Sequence, residues 1–133
     1  MQIRIPVSVG ELLDKIAILE IKQERIEDPV KRRNVERELQ LLTAAWEEAH
    51  PDPAPQVEEL RQDLKKVNEE LWEIEDSVRD HEREGRFDDR FVELARSVYL
   101  TNDRRASLKK ELNLLLGSDL VEEKSYADYE GAG

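Results

Sequence analysis

The chain has 133 residues, of which 40% are charged and 5% aromatic, with no cysteine and a formal net charge of −11. That size is one domain's worth of core. The lack of cysteine excludes disulfides, thiolate chemistry and zinc ribbons, and so acidic a field disfavours nucleic acid, whose phosphates it would repel.

No run approaches the ~18 apolar residues of a membrane span, and no basic region followed by an apolar stretch opens the chain, so a cytoplasmic setting is expected. The mean hydropathy of −0.75 would suit a disordered chain. Apolar residues at fixed helical spacing argue instead for packed helices.

Residues 2–7 alternate Ile3, Ile5 and Val7 around Pro6 and read as an extended lead-in, packed on the bundle. Ser8-Val9-Gly10-Glu11 is a capping box that starts a first helix over 9–26. This helix carries two apolar stripes: Leu12, Ile16, Leu19 and Ile26 on one side, and Leu13, Ala17, Ile18 and Ile21 on the other. Two buried sides make it either the central helix or one shared with a second subunit. Asp28-Pro29 opens a second helix over 29–49, striped by Val35, Leu39, Leu42, Trp46 and Ala49, that folds back on the first. His50-Pro51-Asp52-Pro53-Ala54-Pro55 is a stiff linker.

A third helix over 56–84 and a fourth over 88–116 form the most regular part of the chain. Val57, Leu60, Leu64, Val67, Leu71, Ile74 and Val78 pair in antiparallel order with Leu115, Leu112, Leu108, Arg105, Thr101, Val98 and Leu94. The pairs are centred on Arg86, beside Gly85, which suits a left-handed helix end. Residues 1–117 therefore read as an all-α, coiled-coil-like four-helix bundle of two antiparallel hairpins. Residues 118–133, acidic and punctuated by Tyr126 and Tyr129, read as a loosely docked or disordered tail.

Candidate chemistry is sparse. Thr101 and Arg105 put a polar layer into the seam, where the arginine could hold an anion or a carboxylate such as Asp14 or Glu20; Arg25 shares a stripe of the first helix with Asp14. The same layer could simply fix helix register. Glu69, Glu70, Glu73, Glu75 and Asp76 resemble the first half of the metal motif of all-α nucleotide pyrophosphatases, but Arg96 stands where the second half needs Asp. Cross-helix pairing with Arg104, Lys109 and Lys110 is the better reading. Glu47-x-x-His50 is one of the two pairs a bundle di-iron site requires, and His81 has Val78 three residues before it, so neither a metal nor a cofactor is expected. Trp72, on a mostly charged face, suits either a contact surface or packing on the first helix.

The stretches VSVGELLDKIAILEIKQERIEDP, LWEIEDSVRD and FVELARSVYLTNDRRASLKKELNLLLGSDLVEEKSY together resemble a bacterial family of small helical proteins catalogued as a domain of unknown function. The resemblance implies a bacterial cytoplasmic setting and no activity. Pro29-Val30-Lys31 and Asn34-x-x-Arg37-Glu38 are similar to part of the second helix of all-helical chorismate mutases. Asn34 departs from their Asp, and their long first helix with its lysine segment is missing.

Two functions follow as expectations. The first is a non-catalytic interaction or scaffold module with a protein partner or a second copy, meeting through Ile18 and Ile21 of the first helix or through Trp72. The second is a small-molecule or anion-binding enzyme built where Asp14, Arg25 and Arg105 would converge on a cleft.

Overall fold

In the computed structural model, which describes residues 1–52 and 54–125, four helices form the chain: α1 Val9–Arg25, α2 Pro29–Ala49, α3 Pro55–Glu84 and α4 Asp89–Leu115. No strand occurs among the described residues. Each boundary has a local cause. The Ser8 hydroxyl accepts the Glu11 N–H, and Asp28 accepts the N–H groups of Val30 and Lys31 with Pro29 in the first turn of α2. Gly85 ends α3 at φ 67°, where the Gly85 and Arg86 N–H groups bond back to Glu82 and His81. Asp88 then caps α4 through Phe91 N–H, and Phe87 packs edge-to-face on Phe91 with ring centres 5.2 Å apart.

The α1 helix is the centre of the bundle. It packs against α2, α3 and α4, and α3 and α4 pack on each other, while α2 lies along α1 with its backbone clear of the hairpin. The two stripes explain this arrangement: Leu13, Ile16, Ala17, Leu19 and Ile21 are all buried. The main core gathers Leu13, Ile16, Trp46, Val57, Leu60, Leu64 and Leu112, at the end where the start of α1 meets the close of α2 and α4.

At 17 residues α1 spans about 25 Å, whereas α3 at 30 residues spans about 45 Å. The far part of the α3–α4 hairpin therefore runs on as two helices alone, and Leu94 and His81 are its buried residues. The register agrees with the seam: Glu70 meets Arg104, within about a residue of the expected pairing.

One expectation is corrected. The lead-in does not pack on the bundle, since Ile3 and Ile5 remain 76% and 70% exposed. Of the two readings of the tail, docked or disordered, its described part takes the first: Ser118 accepts the Val9 N–H, Glu122 accepts from Ser8, and Lys124 pairs with Asp103. Pro53 of the linker and Tyr126 and Tyr129 of the tail lie outside the described residues.

Candidate functional site

Above the main core, α1, α3 and α4 meet around one carboxylate. Asp14 is 1% exposed. Its two oxygens accept from Arg105 Nε at 3.0 and 3.1 Å, and Arg105 Nη2 donates to Oδ2 as well. Asn68 Nδ2 donates to Oδ1 at 2.9 Å, and Lys109 Nζ lies 3.7 Å from Oδ2. Lys109 also donates to Glu11 Oε2 at 2.6 Å and faces Glu122 at 3.5 Å. Glu11 thus forms only half of a capping box. Its N–H is capped by Ser8, but its carboxylate turns away to α4.

Spacing explains why these groups meet. Asn113, Lys109 and Arg105 are each four residues apart on one face of α4, and Gly10, Glu11 and Asp14 run past them in the opposite direction. Gly10 permits the approach: a Cβ there would stand 2.4 Å from the Lys109 carbonyl oxygen. The first N–H groups of α1 are all satisfied, Val9 by Ser118, Gly10 by Asn113 at 2.6 Å and Glu11 by Ser8. This helix N-terminus has no free donors for an anion.

The charges hold one another. Hydrogen bonding to Asp14 raises the Arg105 guanidinium above its ordinary value despite partial burial. Burial pushes Glu11 up, but the Lys109 hydrogen bond and charge outweigh it and hold the carboxyl below its usual value. Burial likewise pushes Lys109 down, and Glu11 and Asp14 more than reverse that.

A lowered acid stabilises the fold above its unfolded value of 4.5, and that contribution is lost as pH falls through the folded value. A raised lysine stabilises below its unfolded value of 10.5, and that contribution is lost as pH climbs through the folded value. We therefore expect Glu11→Gln to flatten the acid limb of stability, measured as urea midpoints at stepped pH, and Lys109→Met to flatten the alkaline limb. Variant curves parallel to the wild type would remove this network from the pH dependence.

The candidate residues separate into different places. Asp14 and Arg105 pair. Thr101 is buried one turn away, within 3.4 Å of Arg104 rather than of Asp14. Arg25 is at the far end of α1, beside Glu69 and Glu73 and 5.7 Å from the Trp72 ring centre. Glu20 faces Arg61 and Lys65 on α3. Asp14, Arg25 and Arg105 therefore do not converge.

Ile21, 1% exposed, is used inside its own chain and offers nothing to a second copy; Ile18 is half-buried. Trp72 is half-buried under Arg25. Of the basic residues expected opposite the acidic run of α3, Arg104 meets Glu70, but Lys109 turns to α1 and Lys110 to Glu123. Gly10, Asn68, Lys109 and Asn113 escape the sequence reading as members of this cluster. The one available signal was a glycine inside a helix flanked by apolar stripes.

The saturated carboxylate has no open coordination or hydrogen-bonding side for a substrate. Among the described residues, no three His, Cys, Asp or Glu side chains are placed to hold a metal ion. The open space is elsewhere. A groove of about 750 Å³ runs between α3 and α4, floored by Val67, Leu100 and Leu108. On α4, its residues Leu100, Arg104 and Glu111 lie across the seam from the Arg105–Lys109–Asn113 face that α1 covers. Among the described residues no helix is long and apolar enough to cross a membrane. No curated protein and no solved structure matches the chain. Residues 2–130 match a family of unknown function (DUF6165), and the chain belongs to that family.

Proposed function

We propose that the chain is a non-catalytic helical interaction module that self-associates. The observation that carries this reading is where its large apolar side chains stand. Ile3 and Ile5 protrude from the lead-in, and Val92, Tyr99, Leu100, Leu114 and Leu115 stand exposed along α4. Single exposed apolar residues are ordinary; two on the lead-in and five along one helix support a docking surface. The interior polar groups supply the contrast. Among the described residues, His81 Nε2 is the one buried side-chain polar atom without a hydrogen-bond partner, and the Asp14 cluster is closed.

Sedimentation equilibrium tests the proposal. A mass that rises above that of one chain with concentration is expected. A single-chain mass throughout the micromolar range would sink it.

A further inference from the structure

The molecule carries an exposed apolar arm and a groove with an apolar floor under a charged rim. We infer that they are partners of each other between copies: residues 2–7 of one chain seat in the α3–α4 groove of a second. This rests on the self-association reading and assigns its surface.

Length agrees. In an extended arm, Ile3, Ile5 and Val7 point to one side and span about 13 Å. Leu100 to Leu108, the apolar edge of the groove on α4, covers about 12 Å along the helix. Charge agrees as well. Of the carboxylates that line the groove, Glu70 pairs with Arg104 and Asp103 with Lys124, which leaves Asp63 and Glu111 against Lys66, one more carboxylate than cations. Arg4 is the arm's one charged side chain; it leaves an extended arm on the side opposite the isoleucines, and its long stem can bend back to the carboxylates of the rim when they face the floor.

The arm's root favours a second chain over its own. Ser8 and Val9 are held by Glu122 and Ser118 on the side of the hairpin that α1 occupies, while the groove opens on the other side. An arm of about 20 Å would use roughly 10 Å passing round α4 before it reached its own groove. A facing copy needs no such detour. Pro6 has no N–H to leave unpaired on a helical surface that offers no strand ladder.

The natural chain has no cysteine, so engineered thiols report cleanly. Chains carrying Ile5→Cys and Leu100→Cys separately are mixed and oxidised, and a mixed covalent dimer is expected. Ile5→Cys dimers alone would mean that arms pair with arms. A chain carrying both substitutions that closes on itself as a monomer would mean the groove takes its own arm. Either result overturns the inference.

Association is then compared for the wild type, a chain lacking residues 2–7, and Ile3→Asp/Ile5→Asp, with helicity by circular dichroism as the folding control. The exposed arm makes folding of all three the expectation. We expect dissociation to become at least tenfold easier in both variants, since burying one isoleucine is worth about that factor. Unchanged association overturns the arm–groove contact but leaves self-association standing; a wild type that never associates removes both.

Discussion

Arg105→Leu is expected to destabilise the fold by about 3–5 kcal/mol, measured as urea unfolding followed by tryptophan fluorescence. The reason is an asymmetry within the ion pair. Asp14 is 1% exposed, whereas the Arg105 side chain is 29% exposed. Removing the guanidinium strands a buried carboxylate with Asn68 and a lysine 3.7 Å away. The leucine retains apolar cover, so the loss isolates the charge rather than a cavity.

Removing the acid instead leaves an arginine that can turn to water or toward its neighbour Asn102, so Asp14→Asn should cost less, about 1–2 kcal/mol. The double variant is the decisive arm. With no charge left to strand, Asp14→Asn/Arg105→Leu should be more stable than Arg105→Leu alone, giving a large favourable coupling in the double-mutant cycle. Additive losses would show that the pair does not act as a unit. Equal costs for the two single variants would show that burial is not what sets its energetics.

How much of this could be read from residue order depends on the range of the interaction. Ser8, Asp28, Gly85 and Asp88 act on backbone groups two to five residues away, and each boundary they mark stands within a residue of where pattern places it. The α3–α4 register was legible because seven seam pairs, five of them apolar on both sides, leave little freedom to slip. The centrality of α1 was legible because two stripes need two neighbours.

What was not legible is where each polar side chain turns once three helices meet. Arg105 could be given Asp14 or Glu20 as a carboxylate, and only the crossing of α1 over the hairpin brings it Asp14. Lys109 looked level with the acids of α3 and in fact turns to α1, a choice made by the rotation of α4 about its own axis. The lead-in pattern Ile3, Ile5 and Val7 signalled chain outside the helices, and no helix forms there, but periodicity cannot name which surface, or whose, an apolar edge is meant to cover.

Gly10 makes the sharpest case of a local rule opposed by tertiary structure. Propensity alone says that Gly10→Ala, in the first turn of α1, should stabilise the helix by up to about 1 kcal/mol. The packing says the reverse. The new Cβ would stand 2.4 Å from the Lys109 carbonyl oxygen and 3.0 Å from its carbonyl carbon and Cα. All three are backbone atoms of a helix in mid-course, so no side-chain rotation relieves the clash, and α1 and α4 must separate.

Separation also lengthens the 2.6 Å bond from Gly10 N–H to Asn113, whose oxygen is buried, and pulls Glu11 and Asp14 from Lys109 and Arg105 one and two turns along. We expect a net loss of about 3 kcal/mol, overpacking and a weakened buried hydrogen bond together. Asn113→Ala, which removes the acceptor but keeps the close approach, should cost about 1–2 kcal/mol. Thermal and urea unfolding of the two variants would rank them. A Gly10→Ala chain as stable as the wild type would mean that α1 and α4 do not approach this closely, and the ion-pair cluster built on that approach would fall with it.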